Sequence, residues 1–328
     1  MTQPPRSPKM TAAWLSVLTA LCLAILKLFT GLFTGSLAVL TSAIDSLLDI
    51  LMSGINLIAI GHAEQPADEQ HPYGHGKFET LATLFQAVVI ALSGAWIIYE
   101  AIQRMIVASP IRQTGVGIVV MSISTVVSYL ISRHLRKVAK ATDSSALEAD
   151  SLHFSMDVYT NLALLAGLIL ITGFNLLWLD PVMSILVACY ILFEALRLMR
   201  HGLRDILDEQ LPETVRKEIE GLIEDHKLDL FGYHNLRTRR AGSQKLIDFH
   251  LTVCKHLSVE EAHDITDYIE KKIGEKIIGT DVTIHVEPCR RHDCPGRDVC
   301  STQKIRHAEN THEKWWQQDN ESTESQPQ

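Results

Sequence analysis

The sequence has no basic stripe. Its 328 residues hold 30 Lys and Arg against 38 Asp and Glu, a net charge of −8, and no run of cations is interleaved with aromatic rings. A nucleic-acid surface is thereby excluded. A disulfide framework is missing too: the six Cys are scattered, and Cys22 and Cys189 fall inside apolar runs. Neither HExxH nor GxSxG occurs, so the common zinc-protease and serine-hydrolase signatures are absent. Charge is scarce between residues 12 and 200 and crowded beyond them, and the mean hydropathy of +0.11 averages these two regimes.

The apolar runs predict six spans at roughly 12–34, 37–60, 80–106, 116–132, 145–172 and 178–199. Arg6 and Lys9 precede the first run as in a signal peptide, but five further runs follow, so it reads as the first span. The hairpins 35–36, 109–115 and 173–177 carry one basic residue, Arg112. The opposite side carries Arg6, Lys9, Lys77, Arg133, Arg136, Lys137, Lys140, Arg200 and Arg204. The positive-inside rule therefore places both termini in the cytoplasm.

Span 2, from Leu37 to Ile60, carries Asp45 and Asp49 near its middle. Each Asp at that depth costs roughly 2.5–3.5 kcal/mol on insertion scales. The i,i+4 spacing puts both on one face, with Thr41, Ser53 and Asn56 on or beside it. Pairing with a neighbouring Lys or Arg would be one use for these acids; handling a cation is the other. Lys27, in span 1 with Thr30 and Thr34 on the same side, is either functional or snorkelling to the interface. Span 5 repeats the pattern with His153 and Asp157, Asp150 and Asn161 lying near the same face. Asp143 or Ser145 can cap this helix, and Ser145 with Glu148 fits a capping box. The two pairs together supply one imidazole and three carboxylates, suited to tetrahedral Zn²⁺ or a similar divalent ion.

The loop after span 2 reads QPADEQHPYGHGK, where Asp68, His71 and His75 sit among turn-forming Pro and Gly. It is either a metal site or a solvated loop. Beyond residue 208 the pattern becomes αββαβ: a helix at about 212–226, strands at 231–240 and 244–254, a helix at 258–276 and a strand at 280–287. Strand parity turns Ile247, Phe249, Leu251 and Val253 inward and His250 outward. The same parity sets His285 and Glu287 opposite Val282, Ile284 and Val286. His234 lies in the first strand, and His263 lies beside the buried stripe of Ala262, Ile265 and Ile269. Solvated surface histidines remain the plain alternative. The end of the chain carries Cys289, His292, Cys294 and Cys300 at a spacing that matches no standard zinc motif, then a polar stretch expected to be disordered.

These residues together resemble the cation diffusion facilitator family, and within it bacterial zinc and ferrous-iron efflux pumps. The resemblance covers about residues 10 to 290. It rests on DSLLD at 45–49, HPYGHGK at 71–77, HFSMD at 153–157, LDEQLP at 207–212, HNLRTR at 234–239 and HVEPC at 285–289. It implies an α-helical integral membrane protein with six transmembrane helices and a small α/β cytoplasmic domain, αββαβ and ferredoxin-like or metallochaperone-like. The parts would be a cytoplasmic N-terminus at 1–11, the cation efflux domain at 12–208, a dimerisation and metal-binding domain at 209–290, and a Cys-bearing tail at 291–328.

By the same resemblance Asp45, Asp49, His153 and Asp157 form the transport site, and Asp68, His71 and His75 form a loop site. His234, His250, His263, His285 and Glu287 form a binuclear site, with Glu287 at a bridging position where the family pump has Asp. Lys77 pairs with Asp208, and the protein is a homodimer in the bacterial inner membrane. The expected activity is proton-coupled antiport that exports divalent cations, with Zn²⁺ first and Fe²⁺, Cd²⁺ and Co²⁺ as other substrates. The ligand for all three sites is Zn²⁺, no nucleic acid is involved, and the protein is no enzyme. A membrane-anchored metal sensor is the alternative, and it leaves the four membrane residues without a role. A membrane-anchored metal hydrolase would need an open coordination position facing solvent, which acids at mid-membrane do not offer.

Overall fold

The computed structural model describes residues 7–34, 37–107, 115–174, 179–224 and 230–290. Arg112, the hairpins at 35–36 and 175–177, and the tail with His292, Cys294 and Cys300 lie outside the described residues. Two compact units divide the chain near Glu209.

The first unit is built from six helices: α1 (Pro8–Thr34), α2 (Leu37–Ala63), α3 (Lys77–Val107), α4 (Gly115–Thr142), α5 (Ser145–Phe174) and α6 (Leu179–Ile206). Ser7 starts α1 by accepting the Met10 N–H at 3.1 Å, and Pro8 takes the first helical position, where its missing N–H costs nothing. Two aspartates do the work that glycine often does at helix ends. Asp143 (φ 53°) follows α4 and Asp208 (φ 54°) follows α6, both in the left-handed conformation that Asp tolerates. The Ser144 N–H then bonds Ala139 O, and the Glu209 N–H bonds Arg204 O, each at 3.0 Å.

The cap of α5 differs from the expectation of Asp143 or Ser145. Ser144 accepts the Leu147 N–H at 3.4 Å. The Ser145 hydroxyl faces Thr83 at 3.0 Å instead. Asp143 takes the left-handed turn that follows α4.

The bundle is apolar outside and partly polar inside. Phe33, Leu92, Trp96 and Phe193 are more than 60% exposed, while Ser16, Ser53, Asn56, Gln86 and Asp150 are buried. That inversion suits a lipid surround, where small and hydroxyl residues join helices and apolar side chains face the chains of the lipid. Five helices (α1, α2, α3, α4 and α6) contain stretches long and apolar enough to cross a bilayer among the described residues. The expected sixth span, on α5, is not among them. α5 is the helix that touches all five others, and its first half buries polar groups such as Asp150, Ser151 and Ser155. The protein is a multi-pass helical membrane protein.

The second unit holds α7 (Glu213–Glu224), β1 (Leu230–Ala241), β2 (Gln244–Val253), α8 (Val259–Lys276) and β3 (Thr280–Pro288). The sheet order is β1-β2-β3. Gly242, at φ 63°, supplies the positive φ that the two-residue β1–β2 turn needs. A capping box of Ser258 and Glu261 opens α8, and the crossover through α8 makes β3 parallel to β2, with His250 opposite His285. Ile247, Phe249 and Leu251 pack at 0–1% exposure against Ile219, Ile223, Ile265, Ile269 and Ile273. Each such side chain contributes about 1.5–3 kcal/mol of burial. Filling the core with these alternate residues of β2 leaves His250 on the other face.

Candidate metal sites

Facing helices build the membrane site. His153 on α5 lies with Nε2 2.9 Å from Asp49 Oδ1 on α2, both side chains being about seven-eighths buried. Asp157, one turn further along α5, is within electrostatic reach of Asp49, His153 and Asp45. Asp45 is exposed. Groups of three donors gathered within 4.8 Å of one another occur elsewhere among the described residues, and this quartet is not one of them. The chain thus joins Asp49 to His153 and leaves Asp45 and Asp157 beside that pair. Lys27 does not snorkel away: its Nζ donates to Ser46 Oγ at 2.8 Å, next to Asp45. Its charge offsets part of the acidic cluster without a direct carboxylate bond being needed.

The loop site is more closed. Asp68 Oδ1 accepts the backbone N–H groups of Gln70 at 2.9 Å and His71 at 2.6 Å, so the loop is folded around this carboxylate. His71 Nδ1 and His75 Nε2 each approach the same carboxylate to 3.3 Å. The backbone N–H of His71 holds the Asp68 carboxyl below its usual range, against a smaller opposing effect of desolvation, and the two imidazoles add to the lowering. His75 is buried, and its Nδ1 has no hydrogen-bond partner. Its Nε2 faces Asp68, and its ring stacks on Phe78 with centroids 6.1 Å apart. Two imidazoles and a carboxylate fit three positions of a tetrahedral ion and leave the fourth open.

In the second unit Glu287 gathers three histidines. Its Oε1 lies 2.9 Å from His250 Nδ1 and 3.8 Å from His285 Nε2, and its Oε2 lies 3.5 Å from His234 Nε2. The ring centroids are 5.0 Å apart for His234–His250 and 4.8 Å for His250–His285. Oε1 of Glu287 thus faces His250 and His285, and Oε2 faces His234. His234, His250 and Glu287 fall within mutual metal-bonding reach. His263 is exposed on α8 and stands outside that group. The donor set of imidazoles with one carboxylate fits a borderline divalent ion. Lys77 Nζ donates to Asp208 Oδ1 at 3.0 Å.

The sequence reading placed Asp150 near the ligand face and gave it no role. It is wholly buried. Ser16 of α1 donates to Oδ2 at 2.5 Å, Ser53 of α2 lies 3.2 Å from Oδ1, and Gln86 of α3 lies 3.5 Å from Oδ1. Asn56 donates to Gln86 Oε1 at 3.0 Å and to Ala146 O at 3.2 Å. Three polar residues at wide intervals in apolar runs were the available sign of this network; only the fold shows that they meet.

Residues 13–207 match the cation efflux transmembrane domain, and residues 211–289 match the cytoplasmic domain of cation efflux proteins. The chain is 38% identical to a cation-efflux pump FieF of Shewanella oneidensis, over 83% of this chain and 92% of that one. It is 35% identical to the pump of that name from Citrobacter koseri, over 85% and 92%. Among solved structures, the metal-bound C-terminal domain of the CzcD transporter from Thermotoga maritima is 29% identical over 25% of this chain and all of that one, with a TM-score of 0.23.

Proposed function

The chain belongs to the cation efflux family, and from that membership we propose that it exports Zn²⁺ across a bacterial inner membrane in exchange for protons. It is a divalent-cation transporter and not an enzyme. The observation that carries the reading is the Asp49–His153 contact at 2.9 Å between α2 and α5, because it joins two i,i+4 pairs inside the helical bundle. Asp45, Asp49, His153 and Asp157 would be the transport site. All four can bind a proton as well as a metal ion, which is the chemical basis of exchange.

All six long helices would span the membrane, α5 at the centre, with both termini in the cytoplasm. Moving Zn²⁺ outward against 100 mV costs about 4.6 kcal/mol, twice the ~2.3 kcal/mol per elementary charge, and each entering proton offsets half of it. Zn²⁺ would also occupy the Asp68, His71 and His75 loop and the cluster of His234, His250, His285 and Glu287. His263 would join that cluster only after a rotamer change or movement of α8. The protein would act as a homodimer through its cytoplasmic domains. Fe²⁺, Cd²⁺ and Co²⁺ fit the same imidazole and carboxylate donors, whereas Cu⁺ lacks the thiolate it prefers.

Uptake of radioactive zinc by everted vesicles tests the reading. Asp49→Ala and Asp157→Ala should each reduce uptake to background while the protein still inserts. Wild-type uptake by either variant would place the transport site elsewhere. Zinc binding without uptake by the native protein would favour a sensor.

A further inference from the structure

Asp150 lies on α5 three residues before His153, so one helical turn separates the two side chains on neighbouring faces. Its hydrogen-bond partners come one from each of three other helices: Ser16 from α1, Ser53 from α2 and Gln86 from α3. α2 is the helix that carries Asp45 and Asp49. We propose that Asp150 is a positioning residue for transport: it fixes α5, and with it His153 and Asp157, against α1, α2 and α3, and its hydrogen bonds must be exchanged when the transport site changes its side of access.

The partners are neutral, two hydroxyls and an amide. A buried carboxylate held this way is satisfied by geometry rather than by a counter-charge, so small relative shifts of the helices break its bonds. The network also has room to rearrange. Ser16 carries one proton for two acceptors, Asp150 Oδ2 at 2.5 Å and Ser53 Oγ at 2.9 Å. Asn56 Oδ1 is buried with no partner of its own, a spare acceptor beside Gln86. A rigid structural plug would have its donors and acceptors matched; this cluster has one acceptor too many and a shared proton. Among the described residues no hydrogen bond joins Asp150 to Asp49, His153 or Asp157; its charge is felt at His153, and Asp150→Asn separates that charge from helix placement.

The inference rests on the reading of Asp49, His153 and Asp157 as the transport site. Zinc uptake by everted vesicles, measured against metal concentration, separates the two. Asp150→Ala should lower the maximal rate on the order of 10–100-fold, the range found for groups that orient metal ligands, and should leave the half-saturating zinc concentration unchanged. Asp150→Asn keeps an acceptor for Ser16 and should restore most of the rate. Should Asp150→Ala fail to accumulate in the membrane, Asp150→Asn and Ser16→Ala carry the test. Ser16→Ala should lower the maximal rate in the native background and also in Asp150→Asn, where the amide oxygen still accepts from Ser16.

Wild-type rates in Asp150→Ala, or in Ser16→Ala, would overturn the inference, as would a change confined to the half-saturating concentration. An Asp150→Asn no better than Asp150→Ala would also count against it. Asp49→Ala, run in parallel, reports on the site itself: if it transports zinc, the site reading fails whatever Asp150 does. If it is inactive and Asp150→Ala is normal, only the Asp150 inference fails.

Discussion

Lys77 and Asp208 form one ion pair, yet their removal is expected to have unequal effects. The pair closes at 3.0 Å with 42% and 44% of the two side chains exposed. Exposed pairs contribute about 0–1 kcal/mol, so Lys77→Ala should cost no more than that. Asp208 has a second task, ending α6 at φ 54°. A residue without a short polar side chain is disfavoured there by about 1–2 kcal/mol. Asp208→Ala loses both contributions and should cost about 1–3 kcal/mol. Asp208→Gly gives up the carboxylate but suits the backbone, and Asp208→Asn keeps both shape and conformation, so each should fall back to the Lys77→Ala level. Unfolding of the purified protein in lipid-containing micelles, with a Lys77→Ala/Asp208→Gly double-mutant cycle, measures the terms separately. Asp208→Ala matching Asp208→Gly would refute the backbone term. A coupling energy above about 2 kcal/mol would refute the surface-pair magnitude and mean that the pair works as an interlock.

Residues 210–290 expressed alone should bind close to two divalent ions per chain by titration calorimetry if Glu287 bridges; a value near one would mean that it does not. His250→Ala with His285→Ala should weaken that binding while the full-length protein still transports zinc, and complete loss of transport would mean that this cluster is part of the transport path. In the metal-free domain, burial pushes the Glu287 carboxyl up, but its hydrogen bond with His250 and the charges of His234, His250 and His285 outweigh this and leave it below the usual range. That stabilisation is present above the ordinary carboxylate pKa of about 4.3 and is lost as pH falls through the lower folded value. Glu287→Gln should therefore flatten the acid limb of the domain's stability curve, and an unchanged limb would show that the carboxylate is not held by the histidines. Acidifying the loading side of the vesicles should slow zinc uptake, because protons and metal compete for the same carboxylates and imidazole; indifference to pH would argue against exchange.

Local chemistry carried much of this fold into view. The αββαβ order and the inward set Ile247, Phe249, Leu251 and Val253 follow from period-two alternation, and the buried stripe of α8 from period 3.6. What depended on long-range placement was less legible. Nothing local distinguishes Asp143 as the turn of α4 from Asp143 as a cap of α5; the left-handed backbone decides it. His263 sits one position from the core stripe, and a helical step of 100° is enough to turn it away from the other histidines. Spacing sets Asp45 with Asp49 and His153 with Asp157 on shared helix faces, but it cannot say that Asp49 and His153 touch while the other two stand off.

Opposite His250 on the parallel neighbour stands His285, and opposite Thr252 stands Glu287. A slip of one residue between β2 and β3 would send His285 and Glu287 into the core and bring Ile284 and Val286 out. An ion held between His250 and Glu287 is therefore available only to the correctly aligned sheet. Pairing of these strands waits on α8, since a parallel pair closes through a long crossover and forms slowly. Metal present during synthesis would then act as a proofreader of alignment, lengthening the life of chains that have closed in register and leaving the misaligned ones free to open again.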